Sequence, residues 1–186
     1  MLLVFPPLTI TIKCMTTKNK KRSDRHKEFI RNYKEQRPCE RCQENFHHAS
    51  MGFYRNDTTK TPHKISQMSM WSKKKILEEI QNSQLLCANC LSYLFWEKSK
   101  QTTNDPLSIR GRTHIAAAKT DVSCADCNTS YHPSSMQFDH RPGEIKRRNI
   151  SKMERYSIEN IQKEIDKCDI VCNNCHNRRT YNRLYS

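Results

Sequence analysis

The sequence is short of apolar residues. Only 35% of its 186 residues are hydrophobic and the mean hydropathy is −0.93, which argues against a large apolar core and for small modules stapled by metal. It is short of acid as well: 33 Lys and Arg stand against 19 Asp and Glu, a formal charge of +14. That balance favours a polyanion, DNA or RNA, as partner. A membrane-spanning stretch is also lacking. The apolar run Met1 to Ile12 is too short to cross a bilayer and is interrupted by Pro6 and Pro7. It has no basic n-region and no small-residue cleavage site, so neither membrane insertion nor secretion is expected. Met15 opens a basic run, Met15-Thr-Thr-Lys-Asn-Lys-Lys-Arg22, that reads as an alternative start of translation, and residues 1–22 are expected to be a flexible N-terminal extension.

Cysteine, by contrast, is plentiful and ordered. Eight of the ten cysteines fall into four Cys-x-x-Cys pairs, 39/42, 87/90, 124/127 and 172/175, leaving Cys14 and Cys168 over. Two residues between cysteines let a tight turn aim both sulfurs at one ion, and a second such turn completes a closed tetrahedral site. The expectation is two structural Zn²⁺ sites, Cys39, Cys42, Cys87 and Cys90 in one and Cys124, Cys127, Cys172 and Cys175 in the other. Regular pairing with no secretory signal places the chain in a reducing intracellular compartment, cytoplasm or nucleus. Each tetrathiolate centre carries two net negative charges, so the formal charge stays strongly positive at about +10.

The chain repeats itself at an offset of 85 residues. Residues 39–91 align with 124–176 without a gap, and 16 of the 53 positions are identical. All four cysteines coincide, as do His47 and His132, Ser50-Met51 and Ser135-Met136, Phe53 and Phe138, Glu79-Ile80 and Glu164-Ile165, and Asn89 and Asn174. The chain is therefore a tandem duplication. Its differences carry the chemistry. The second copy has Asp139, His140 and His176 where the first has Tyr54, Arg55 and Leu91. A hard carboxylate oxygen such as that of Asp139 suits Mg²⁺ or Mn²⁺ rather than a thiolate zinc site. Neighbours on an extended strand point to opposite sides, so Asp139 and His140 divide naturally into a metal ligand and a base. His176, fixed beside Cys175, is free to act as a second ligand. His47 and His132, present in both copies, read as structural neighbours of the first knuckle.

Cys124-Ala-Asp-Cys127, Phe138-Asp139-His140 and Cys172-Asn-Asn-Cys175-His176 together resemble the HNH, or ββα-metal, endonucleases, in the endonuclease VII-like subgroup with a four-cysteine zinc frame. The resemblance covers the last third of the chain strongly and the middle weakly. It implies that Asp139 and His176 hold a catalytic Mg²⁺ or Mn²⁺, that His140 is the general base, and that products carry 5′ phosphate and 3′ hydroxyl ends. The middle Asn of the motif has two candidates. Asn174 recurs as Asn89 in the silent copy, which suggests a knuckle role, whereas Asn149 is replaced by Lys64 and is the better catalytic candidate. The implied fold class is α+β: tandem ββα-metal modules with added helices.

The expected layout is a degenerate module over 23–98, a linker over 99–107 and an intact endonuclease module over 108–186. A helix is expected over Ser23 to Gln36 with Ser23 as N-cap, and another from Pro106 to Lys119, weakened by Gly111. Ser72 and Ser157 cap further helices, with Trp71 stapled over Ile76 and Tyr156 over Ile161. Ile170-Val171 makes a strand into the last knuckle, and Cys168 packs beside the zinc core. The helix opened by His176 carries Arg178 and Arg179, expected to hold substrate phosphate. The function expected is hydrolysis of phosphodiester bonds in duplex or branched DNA, with the first copy an inactive binding or structural module. The competing expectation is a non-enzymatic tandem zinc module that binds DNA or RNA.

Overall fold

The computed structural model describes residues 17–55, 65–99 and 105–185. The apolar N-terminal run, the Met15 start, Cys14 and most of the expected linker lie outside the described residues. The architecture is α+β, with helices and two small antiparallel sheets arranged as two copies of one plan.

In the first copy, α1 (Thr17–Glu35) leads to the first knuckle and a short 3-10 turn, His48–Ser50. The hairpin of β1 (Met51–Tyr54) and β2 (Gln84–Cys87) encloses a second 3-10 turn, Ile65–Met70, and α2 (Lys73–Gln81). Helix α3 (Ala88–Lys98) follows β2 without a break. The second copy answers element for element: α4 (Pro106–Ala117), the turn Pro133–Ser135, β3 (Met136–His140), the turn Ile150–Lys152, α5 (Ile158–Ile165), β4 (Cys168–Cys172) and α6 (Asn173–Tyr185). The hairpin registers are offset alike, Met51 opposite Cys87 and Met136 opposite Cys172.

Ser72 and Ser157 are N-caps as expected, their hydroxyls accepting from the backbone N–H of Lys75 and Asn160. The isoleucines behind them are core. Ile76 and Ile80 pack with Ile30 and Met68, and Ile161 and Ile165 pack with Ile115, Ile150, Met153 and Cys168. Trp71 joins the first of these clusters. Tyr156 does not staple Ile161; it is exposed and lies under the Arg148 guanidinium.

Three helix expectations are corrected. Ser23 is not an N-cap, because α1 starts at Thr17 and the buried Ser23 hydroxyl donates to Ser69 Oγ at 3.1 Å. Six residues assigned to the N-terminal extension are thus helical. The expected linker is shorter, because Asp105 already caps α4. Gly111 does not weaken α4 but permits its docking: a Cβ there would stand 1.8 Å from the carbonyl oxygen of Glu154. Its counterpart in α1 is His26, whose Nδ1 lies 2.9 Å from the carbonyl oxygen of Ser69, the counterpart of Glu154. The two copies solve one contact differently, by removing a side chain or by bonding through one.

The repeat reaches further upstream than the cysteines. Ser23 and Ser108 are both buried at 4% exposure, Ile30 and Ile115 both enter the core, and Lys34 and Lys119 lie over the rings of Phe53 and Phe138. Burial pushes both ammonium groups below the usual lysine value, Lys34 to about 8.

Candidate functional site

Each knuckle forms from the same local rules. The residue after its second cysteine, Gln43 or Asn128, takes a positive φ of 61° or 55°. That lets the chain fold back so that Gln43 N donates to Cys39 O and Asn128 N to Cys124 O, at 2.8 and 2.9 Å. The second pair in each copy straddles the strand-to-helix junction, and Cys87 serves as N-cap of α3, its sulfur accepting from Cys90 N at 3.4 Å. In each copy the four sulfurs lie within 4.8 Å of one another, and these two groups could hold two zinc ions. The donor sets fit: Cys87 N donates to Cys39 Sγ and Cys172 N to Cys124 Sγ, both at 3.2 Å, as expected for sulfurs that carry negative charge. Cys168 is not part of either group. It is buried in the isoleucine core with its thiol donating to Glu164 O, and burial pushes its thiol up to about 11.

The sequence-derived candidates divide between two sides of β3. Asp139, 5% exposed, faces α6, where His176 Nε2 lies 3.8 Å from Oδ1. Two arginines share that carboxylate: Arg183 binds both oxygens, and Arg179 Nη1 donates to Oδ2 at 3.0 Å. Burial works against the charge on Asp139, but the Arg183 and Arg179 hydrogen bonds outweigh it and hold the carboxyl below its usual value. Burial also lowers His176, against the pull of Asp139, so its imidazole is held toward the neutral form that a metal requires. Asp139 and His176 together offer one carboxylate oxygen and one ring nitrogen, a donor set that a divalent cation accepts.

His140 occupies the other side, facing α5. Its Nε2 lies 2.9 Å from Oε1 of Glu164, a carboxylate only 2% exposed. Glu164 also accepts from Lys167 Nζ at 2.8 Å and from the backbone N–H of Arg147 at 2.8 Å. Burial opposes ionisation of Glu164, but the bonds from Lys167, His140 and the two N–H groups overcome it and bring the carboxyl to about 2. Glu164 is therefore a fixed anion that sets the imidazole's orientation.

Two expectations are corrected here. Arg179 is committed to carboxylates rather than open to phosphate: besides Asp139 it binds Asp169, which faces Asp139 across the hairpin, and Asp126 of the knuckle. It ties α6, both strands and the first knuckle together. Arg178, next to it, remains exposed. Asn149 stands at the exposed start of the Ile150–Lys152 turn, with no side-chain cap bond, and is not gathered with Asp139 and His176. Sequence reasoning missed Arg183 and Glu164. Arg183 lies four residues after Arg179 and seven after His176, on one helix face, and Glu164 was already visible as a repeat identity with Glu79.

The first copy holds a different pair at each of these places. Lys98, the counterpart of Arg183, donates to the Tyr54 hydroxyl at 2.7 Å. Arg55, the counterpart of His140, binds both oxygens of Glu79 at 2.9 and 2.8 Å. The pairings survive while the titratable and metal-binding groups are exchanged.

Asn174 and the repeated histidines have a role that the sequence did not reveal: they join the copies. Asn89 N donates to Asn174 Oδ1 at 3.3 Å, and Asn174 N to Asn89 Oδ1 at 3.1 Å, so each side chain caps the other's helix. Ser50 Oγ donates to Asn174 O at 2.6 Å and Ser135 Oγ to Asn89 O at 2.9 Å. His47 packs on Tyr181 at 4.8 Å between ring centroids, and His132 on Trp96 at 4.1 Å. Comparison with family models, curated proteins and solved structures finds no match for this chain. No described helix is long and apolar enough to cross a membrane.

Proposed function

We propose that the chain is a metal-dependent DNA endonuclease of the HNH, ββα-metal type, with its hydrolytic site in the second copy and the first copy as a silent partner. The observation that carries this reading is the convergence of Asp139 and His176 across β3 and α6, with His140 held by Glu164 on the adjoining strand position. All three positions are altered in the copy that keeps the same frame.

In this reading Asp139 and His176 hold Mg²⁺ or Mn²⁺, which when bound stabilises charge on the reacting phosphate and the departing 3′ oxygen. His140, kept in one tautomer by the anionic Glu164 on Nε2, takes the proton of the attacking water at Nδ1. Arg183 and Arg179 neutralise Asp139 in the free protein, and a DNA phosphate arriving there offers the more exposed guanidinium, that of Arg183, a second anion. The basic excess, to which the exposed Arg178 of α6 contributes, supplies general attraction to the backbone.

The competing reading, a tandem zinc module that binds DNA or RNA without cutting it, draws support from the two arginines on Asp139. The two part in an assay of supercoiled plasmid with zinc-loaded protein and added Mg²⁺ or Mn²⁺, run beside His140→Ala and a chelator control. Metal-dependent relaxation, lost in the variant with zinc content and DNA binding unchanged, supports the endonuclease. Binding without cleavage of plasmid or branched DNA supports the module.

A further inference from the structure

The most buried contacts between the copies are reciprocal. Ser50 bonds Asn174 as Ser135 bonds Asn89, the two asparagines exchange caps, and His47 meets Tyr181 as His132 meets Trp96. Every one of these pairs exchanges its members under the 85-residue offset. That is the signature of an isologous, twofold interface, in which one patch meets its own copy. It is not a loose contact: Ser50, Ser135, Asn89 and Asn174 are 3–5% exposed. The chain is built as a homodimer whose two subunits have been joined end to end, and the surface on which a lone half would dimerise is filled from within.

Such a frame has a consequence for DNA, whose two antiparallel strands are themselves related by twofold axes. A dimer of identical cutting subunits brings one centre to each strand. Here the frame is kept and one centre is lost, through Tyr54, Arg55 and Leu91. The silent half still presents exposed cations, among them Lys18, Lys20, Lys21 and Arg25 on α1, suited to phosphate without chemistry.

Resting on the endonuclease reading, we propose that the protein acts on duplex DNA as a self-contained monomer that breaks one strand and leaves a nick, its first copy standing where a second cutting subunit would be. The step balances as a hydrolysis. Water oxygen bonds to phosphorus, the P–O3′ bond breaks, the water proton passes to His140, and the 3′ oxygen leaves as a hydroxyl after taking up a proton, with the phosphate retained on the 5′ end.

The test follows the order of products from supercoiled plasmid, with sedimentation of the same protein sample. The expected result is a 22.1 kDa monomer, a rate proportional to protein concentration, and open circles exceeding linear DNA at least tenfold until the supercoiled form is consumed. Linear DNA appearing together with the first open circles, a rate rising with the square of concentration, or a stable dimer would each overturn the proposal while leaving the endonuclease reading intact. No cleavage of any DNA overturns both. A triple variant, Tyr54→Asp with Arg55→His and Leu91→His, should raise the linear share where it folds, and the wild-type product order decides the question if it does not.

Discussion

Glu79 and Glu164 stand at the same place in α2 and α5, and each grips the residue at the end of the hairpin's first strand. In one copy that residue is Arg55 and the result is a partly buried ion pair; in the other it is His140 and the result is an oriented imidazole. The same substitution of chemistry within a kept geometry recurs opposite α3 and α6, where Lys98 on Tyr54 replaces Arg183 on Asp139. The difference teaches that this frame keeps its pairings while the side chains that fill them change. A glutamate that fixes an arginine serves packing, and on the proposed reading the same glutamate, fixing a histidine, adds chemistry within the same geometry.

The comparison can be broken most forcefully at the knuckles. Cys39→Ser and Cys124→Ser should each remove one equivalent of bound zinc and unfold the affected copy, because structural zinc supplies about 10–16 kcal/mol of apparent binding energy in small modules; zinc content and circular dichroism of the two variants should be alike. Next, the copies should separate in activity. His140→Ala should lower plasmid cleavage by about 10²–10⁴-fold, the usual range for a general base, whereas Arg55→Ala should leave cleavage unchanged and lower the denaturation midpoint.

A smaller effect tests the symmetry itself. Asn89→Leu and Asn174→Leu should each destabilise by about 1–3 kcal/mol through unpaired buried N–H groups. The double variant should cost about the sum, since each Oδ1 serves the other residue's backbone N–H and each substitution removes a separate bond; urea denaturation of the four proteins measures this. The smallest expected effect is with pH. Glu164 is depressed to about 2, so its contribution to stability is complete above the ordinary glutamate value and is lost as pH falls from about 4.5 toward about 2. Glu164→Gln should flatten that acid limb in thermal melts at graded pH.

Much of the frame was legible because it rests on spacing. The cysteine pairs, the serine caps and the isoleucine stripes are local patterns, and the 85-residue offset exposed the duplication without any structure. What stayed hidden depends on how separate elements meet. Asn174 looked like a knuckle residue because its partner, Asn89, lies far away in sequence; only docking of α3 on α6 makes it a cap. Gly111 looked like a flaw in a helix because the backbone of Glu154, which needs the space, is not nearby in the chain. Arg179 looked open to phosphate because Asp126, Asp139 and Asp169 converge on it from three separate segments.

One hydrogen bond between the copies has no mirror image among the described residues. Asn173 Nδ2 donates to Ser92 Oγ at 2.7 Å, while the counterparts of these residues are Ala88 and Asn177, which cannot repeat the bond through an alanine. A perfectly symmetric interface would let the first copy of one molecule accept the first copy of another, opening the way to exchanged and chained assemblies. The Asn173–Ser92 bond labels left and right. It rewards pairing of unlike halves, which a single chain always has at hand, and so turns a symmetric joint into a lock that fits its own key.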